Sequence, residues 1–281
     1  MTLNDVYRRY LAELKEICSP GEASNITAII FESFAGLSKS DVIKDPSRLV
    51  EKPLADKLCE SLQELLNHRP VQYITGEAWF CKMKLKVNES VLIPRPETEE
   101  LVMAVIESVQ PVKSVLDIGT GSGCIAIAIQ KNTDAYVTAI DLSKAALSIA
   151  AENAASQKAL IDFLELDFLD EGKWPLLNSY DSIVSNPPYI PETEKEWLDK
   201  NVTEYEPHLA LFVAAAEPII FYKKIAAFGK THLNAGGKIF METHEEYAKK
   251  VAMHFQEQGY DVVIRKDMFE KERIVIAGFA I

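Results

Sequence analysis

From Ser114 onward, strand-length apolar runs alternate with helix-length amphipathic ones, and this constrains the fold more than any other feature. Strands are expected at Ser114–Asp117, Tyr136–Ile140, Ile161–Leu164, Ser182–Val184 and Lys238–Met241. Helices are expected after a glycine turn to Gln130, over Lys144–Ser156, from about Pro218 to Leu233, and over His244–Gln258. Alternation of this length predicts an α/β fold in which a mostly parallel sheet is covered by helices on both faces. Two final runs, Asp261–Arg265 and Ile274–Phe279, are joined by a short polar loop and should form an antiparallel hairpin at the sheet edge.

The chain before this region has a different character. Leu3, Tyr7, Tyr10, Leu11, Leu14 and Cys18 fall at helical spacing among charged residues. Ser19-Pro20-Gly21-Glu22 offers an N-cap, a first-turn proline and an acid three residues after the cap, so a second helix should run to about Phe34. Ser38 to Asp41 repeats the cap-and-acid spacing, and Pro53 opens a helix with Leu54, Leu58, Leu62, Leu65 and Leu66 inward. Residues 1–70 therefore read as a small helical domain. Val71–Ile74 and Phe80–Val87 read as strands of a hairpin turning near Gly76, so 71–90 is a β-hairpin linker and 91–281 the main domain. Its lysines, Lys82, Lys84 and Lys86, read as a solvated face. Prolines bracket Arg95 in Leu92–Glu99, a loop that leads into a helix through Val109.

A net charge of −12 tells against a protein whose main work is neutralising phosphates, which needs clustered Lys and Arg. The four cysteines, Cys18, Cys59, Cys81 and Cys124, form no C-x-x-C pair, so reduced thiols are expected rather than a zinc knuckle or disulfide framework. No signal-peptide pattern and no membrane-spanning apolar stretch is seen, which makes a cytoplasmic location the default expectation, with no membrane partner.

Four strand ends carry the chemistry. Gly119-Thr120-Gly121-Ser122-Gly123 follows the first strand of the alternation and opens a helix, so a ligand can approach the backbone and the free N–H groups of a helix N-terminus. Asp141 closes the next strand about twenty residues on, where a carboxylate can accept both hydroxyls of a ribose. Asp167 and Phe168 close the third, suited to an exocyclic amine and to the face of a base. Together these indicate a nucleoside-bearing ligand. Asn186-Pro187-Pro188-Tyr189 then ends the strand Ser182–Val184 as a rigid polar loop. Glu242, His244, Glu245 and Glu246 lack metal-binding spacing and read as helix-start carboxylates, so no metal is expected.

With these motifs the chain resembles the class I methyltransferases that use S-adenosylmethionine. Pro70–Gly76, Leu92–Glu99, Gly119–Gly123 and Val184–Ile190 together resemble the peptide chain release factor glutamine methyltransferases, the HemK or PrmC family. The resemblance spans the chain from about Pro70 and also suits the helical domain. It implies a Rossmann-like, seven-stranded sheet and S-adenosylmethionine held by Gly119 to Gly123, Asp141, Asp167, Phe168 and Asn186, with Arg95 helping to cover it.

The substrate implied is the glutamine of the Gly-Gly-Gln motif of peptide chain release factors, with the helical domain gripping the protein and no direct nucleic-acid binding. Asn186, Pro187, Pro188 and Tyr189 would bind that glutamine, Asn186, Pro187 and Tyr189 acting in catalysis. The Asn186 oxygen and the Pro187 carbonyl would accept the two N–H bonds of the NH2 group, and Tyr189 would pack on the planar amide. The same loop would suit an amino-methyltransferase acting on adenine or guanine of DNA or RNA, which the acidic charge disfavours. Thr243-His244 departs from the family's usual Glu-x-Gly, and the loop Asp267–Arg273 lacks its glycine.

Overall fold

A computed structural model describes residues 1–108 and 113–279, which divide into one unit of Met1–Glu77 with Asp199–Tyr205 and another of Ala78–Leu198 with Glu206–Ile281. No helix among the described residues is long and apolar enough to cross a membrane.

The first unit is helical: α1 (Leu3–Leu14), α2 (Pro20–Ala35), α3 (Lys39–Lys44), α4 (Lys52–Leu66) and α5 (Val71–Thr75). Capping sets the starts of three of them. Thr2 with Asp5 and Ser38 with Asp41 form reciprocal capping boxes, and Ser19 accepts from the Glu22 N–H with Pro20 in the first turn. Tyr10 and Phe31 pack edge to face at 5.6 Å in the core, and the Tyr10 hydroxyl donates to the Leu58 carbonyl. Burying either ring is worth about 1.5–3 kcal/mol, and the hydrogen bond keeps the phenol from being orphaned.

The strand expected at Val71–Ile74 is the helix α5 instead. Four residues cannot distinguish a period of 2 from one of 3.6. Pro70 at the N-cap and Gly76 in the left-handed region at the C-cap enclose one turn that buries Val71 and Tyr73. The hairpin turn accordingly lies later than Gly76. β1 (Glu77–Phe80) and β2 (Met83–Lys86) are joined at Cys81 and Lys82, whose φ values of 46° and 61° give the doubly left-handed turn that matches strand twist. No glycine marks this turn; the Cys81 N–H is held by Glu99 Oε1 at 2.8 Å.

In the second unit, α6 (Pro96–Ile106) leads to β3 (Ser114–Ile118), α7 (Cys124–Asn132), β4 (Tyr136–Asp141), α8 (Lys144–Gln157), β5 (Ile161–Glu165) and β6 (Tyr180–Ser185). The expected end of the helix before β3, at Val109, lies outside the described residues. After β7 (Ile190–Pro191) the chain leaves for α9 (Lys200–Tyr205) and returns through α10 (His208–Leu211) to β8 (Phe212–Val213), which pairs with β7 in parallel. Then come α11 (Ile220–His232), β9 (Leu233–Glu242), α12 (Ala248–Glu257), β10 (Asp261–Lys266) and β11 (Glu272–Gly278).

The seven-stranded sheet has the order β10-β11-β9-β6-β3-β4-β5, parallel from β9 to β5, with β11 antiparallel between β9 and β10. Buried strands read as continuous apolar runs because both faces are covered: β3 packs Val115 on one side and Leu116 on the other, each in its own core cluster. The chain winds one way from β3 to β5 and the other way through β6 and β9. This reversal leaves a crevice at the carboxyl ends of β3 and β6. The Ser185 hydroxyl donates to the Ile118 carbonyl at 2.8 Å and locks those two ends together.

Candidate active site

A cavity of about 240 Å³ opens at this reversal, walled by Gly119, Gly121, Asp141, Asp167, Phe168, Asn186, Pro187 and Pro188 and, from outside the sheet, by Leu92 and Leu209. Residues from four strand ends thus meet in one place, although up to 69 positions separate them in sequence.

The glycine loop is shaped by its neighbours. Gly121 has φ of 55° and turns its N–H onto Asp141 Oδ2 at 2.9 Å, while Asp141 Oδ1 accepts from the Ser143 N–H at 2.8 Å. Gly123 has φ of 80°, and a Cβ there would sit 3.1 Å from that of Ala150, so a glycine is required for α7 to pack on α8. Asp167 Oδ1 accepts from the Leu169 N–H at 3.0 Å. Phe168 lines the cavity, but its ring stacks on Trp174 at 5.7 Å and meets Phe228 edge-on in the core.

Five of the expected residues do not line the cavity. Thr120 turns inward and donates to Asp117 Oδ2 at 2.7 Å; Ser122 is buried, and Gly123 is the N-cap of α7. Arg95 pairs with the buried Glu206 at 2.5 Å, and Glu206 also accepts from the Ile93 N–H at 3.2 Å. Arg95 therefore fastens the segment carrying Leu92 to the one carrying Leu209, two pieces of cavity wall, instead of meeting a ligand itself. Tyr189 lies behind the wall, its hydroxyl on Glu242 Oε1 at 3.3 Å.

Glu242 is the clearest correction. It is no helix-start carboxylate: it ends β9 with 2% exposure, ahead of the start of α12 at Ala248, and accepts from Thr98 Oγ1 at 2.7 Å. Thr98 in turn accepts from Asn186 Nδ2 at 3.1 Å. Burial raises the Glu242 carboxyl, opposed by the hydrogen bond from Thr98 and the charge of Arg273. Burial and then the Glu242 charge raise the Tyr189 hydroxyl, which stays protonated and donates. The signal for Thr98 was present in Pro94–Glu99, where only the arginine was assigned; nothing local to Glu242 announced its partners.

Asp117 also escaped the sequence reading. It is fully buried at the end of β3, its Oδ1 has no hydrogen-bond partner, and desolvation lifts its carboxyl to about 7. Asp141 is raised too, first by burial. Neither has an ion-pair partner among the described residues; Asp141 lines the cavity, with Asp117 buried behind the glycine loop, so this end of the sheet carries acidic groups without paired cations.

Comparison with known proteins gives the family and the fold. Residues 97–204 match the family described as Methyltransferase small domain, and residues 5–76 the one described as PrmC N-terminal domain. The chain is 39% identical over 268 residues to the release factor glutamine methyltransferase of Bacteroides thetaiotaomicron, covering 94% of this chain and 96% of that one. It is 45% identical over 222 residues to the Lactococcus lactis protein of the same name, covering 78% and 80%. Among solved structures, a methyltransferase from Pyrococcus furiosus superposes with a TM-score of 0.53 at 16% identity, covering 79% of this chain and 99% of that one, a likeness of fold.

Proposed function

The chain belongs to the release factor glutamine methyltransferase family, and on that premise we propose that Asn186 and Pro187 hold the amide nitrogen of the substrate glutamine at the cavity that receives the methyl donor. The enzyme is an S-adenosylmethionine-dependent protein-glutamine N-methyltransferase. It methylates the side-chain amide of the glutamine in the Gly-Gly-Gln motif of peptide chain release factors.

The residues present fit the donor. S-adenosylmethionine, when bound, supplies an electrophilic methyl group on a positively charged sulfonium. Asp141 has one acceptor site left on each oxygen for a ribose diol, and Asp167 offers its second oxygen to the adenine amine. The orphaned oxygen of Asp117 suits an ammonium group. Positive charge is favoured beside Asp141, a partly buried carboxylate that lines the cavity and has no cationic side chain paired with it among the described residues.

The observation that carries the reading is that Asn186, Pro187 and Pro188 wall the same cavity as Gly119, Gly121, Asp141 and Asp167. An amide nitrogen is a poor nucleophile because its lone pair is delocalised into the carbonyl. Two fixed acceptors, Asn186 Oδ1 and the Pro187 carbonyl, take its two N–H bonds and turn the lone pair toward the methyl group. Pro187 and Pro188 fix φ, so the acceptors stand in place before substrate arrives. Positioning of this kind lowers a barrier by up to about 7–11 kcal/mol. The methylated nitrogen, having lost its conjugation, is strongly acidic and releases its proton to water, so no strong base is required.

The helical residues 1–70 serve recognition of the release factor, a role supported by their match to a domain of this family. The net charge of −12 favours a protein substrate over nucleic acid, and the enzyme works in the cytoplasm without a membrane partner. Incubation with purified release factor and labelled S-adenosylmethionine, followed by mass mapping, tests the substrate. The label is expected on the glutamine side chain. Label on another residue, or on added DNA or RNA in preference to protein, overturns the reading.

A further inference from the structure

Asn186, Thr98 and Glu242 come from three distant segments, yet they form one hydrogen-bond chain, running from the cavity wall to a buried carboxylate, whose direction is set by proton count. Thr98 Oγ1 lies 2.7 Å from Glu242 Oε2 and 3.1 Å from Asn186 Nδ2. A carboxylate only accepts, so the single hydroxyl proton of Thr98 goes to Glu242. The threonine oxygen is left able only to accept, and its neighbour must be a donor. An asparagine amide carries its donor and its acceptor on opposite arms, and a half-turn exchanges them.

From this arrangement we infer that Glu242 and Thr98 are positioning residues that set the amide orientation of Asn186, turning its NH2 group inward and leaving Oδ1 as the arm presented to substrate. The inference rests on the reading of Asn186 as an acceptor for the substrate amide. It adds a source of specificity: with Oδ1 outward, the site accepts a nitrogen that carries protons and repels a carbonyl oxygen placed at the same point. A flipped Asn186 would present a donor and invert that preference.

The surroundings favour this function over simple packing. Glu242 holds a second group of the same loop, the Tyr189 hydroxyl at 3.3 Å, so one carboxylate fixes the residues on both sides of the Pro187-Pro188 pair. Its own backbone carbonyl is tied by the Tyr222 hydroxyl at 2.9 Å, which fixes the end of β9. Thr98 lies in the first turn of α6, held by Pro96 and by its N–H on the Arg95 carbonyl at 3.1 Å. A buried carboxylate that served only to join α6 to the sheet would be replaceable by an uncharged isostere at little cost.

Two isosteric substitutions in the full-length enzyme test the inference. Glu242→Gln keeps the shape but brings an NH2 group that can donate to Thr98, freeing the hydroxyl proton to point at Asn186 and favouring the flipped amide. Thr98→Val keeps the volume and removes the relay, while Thr98→Ser retains it. Expected for both Glu242→Gln and Thr98→Val is a fall in kcat of about 10²-fold, the cost of a misplaced reacting group, with KM for release factor and the S-adenosylmethionine Kd within threefold of wild type. Thr98→Ser should recover kcat to within about fivefold. The double variant should lose no more than the worse single one, because both act through one amide.

Wild-type kcat in Thr98→Val, multiplying losses in the double variant, or a parallel loss of donor binding would each overturn the inference. Asn186→Ala assayed alongside separates the two levels. If it retains wild-type turnover, the reading of Asn186 itself fails; if it is inactive while Thr98→Val is fully active, only the relay fails.

Discussion

Replacing Asp141 by Asn separates a ligand-binding aspartate from one that merely caps a turn. An ionised carboxylate has about four acceptor sites. Two are used by the N–H groups of Gly121 and Ser143, one on each oxygen, and two remain, the number a vicinal diol requires. The amide of Asp141→Asn keeps one oxygen. Its NH2 arm must face either the Gly121 or the Ser143 N–H, donor against donor, and one ribose hydroxyl loses its acceptor. The lost charge-assisted bond is worth about 1.5–3 kcal/mol, so S-adenosylmethionine should bind about 10- to 150-fold more weakly by calorimetry. The unpaired backbone N–H costs about 1–3 kcal/mol in the free protein, seen as a lower Tm. The sign of the pH effect follows from the raised Asp141 carboxyl. Hydroxyl donation favours the ionised form, so wild-type affinity is full above that pKa and falls as pH drops through it, while the variant shows no such fall. A lower Tm with donor affinity unchanged would refute the argument and reduce Asp141 to a loop cap.

Two further outcomes follow from buried carboxylates. Asp117 titrates near 7 when folded, against 3.8 ordinarily, so between these values the folded state binds the extra proton and stability of the ligand-free protein falls as pH rises. Asp117→Asn removes that dependence and should be the more stable protein at pH 8, by up to about 4 kcal/mol, with the difference closing near pH 4; denaturant titrations at the two pH values check this. Arg95→Ala strands Glu206, whose side chain is 1% exposed, and should cost about 3 kcal/mol, the low end for a buried pair because the Arg95 side chain is 34% exposed. Donor affinity should fall with it as the Leu92 and Leu209 walls part, and an unchanged Tm would contradict the fastening role.

How much was legible in the sequence depended on how local each signal was. The alternation after Ser114, the N-caps of α2 and α3, the glycine loop and the Asn-Pro-Pro-Tyr loop are all written in contiguous residues, and each lies where its pattern implies. The Val71–Thr75 turn was misread because so short a segment carries no period, and the Cys81–Lys82 turn because ordinary residues occupy left-handed positions there. The pairings of Glu242 and Glu206 were beyond reach for another reason. Their partners, Thr98 and Tyr189 for one and Ile93 and Arg95 for the other, are 53 to 144 residues away, and only the folded sheet brings them together.

The central claim is that Asn186 presents the acceptor that orients the substrate amide for methyl transfer. Single-turnover transfer to release factor by Asn186→Ala, at saturating S-adenosylmethionine and with donor Kd measured on the same preparation, tests it most directly. The account predicts a rate lower by about 10²–10³-fold with Kd within threefold of wild type. An unchanged rate, or a loss explained entirely by weaker donor binding, would contradict it.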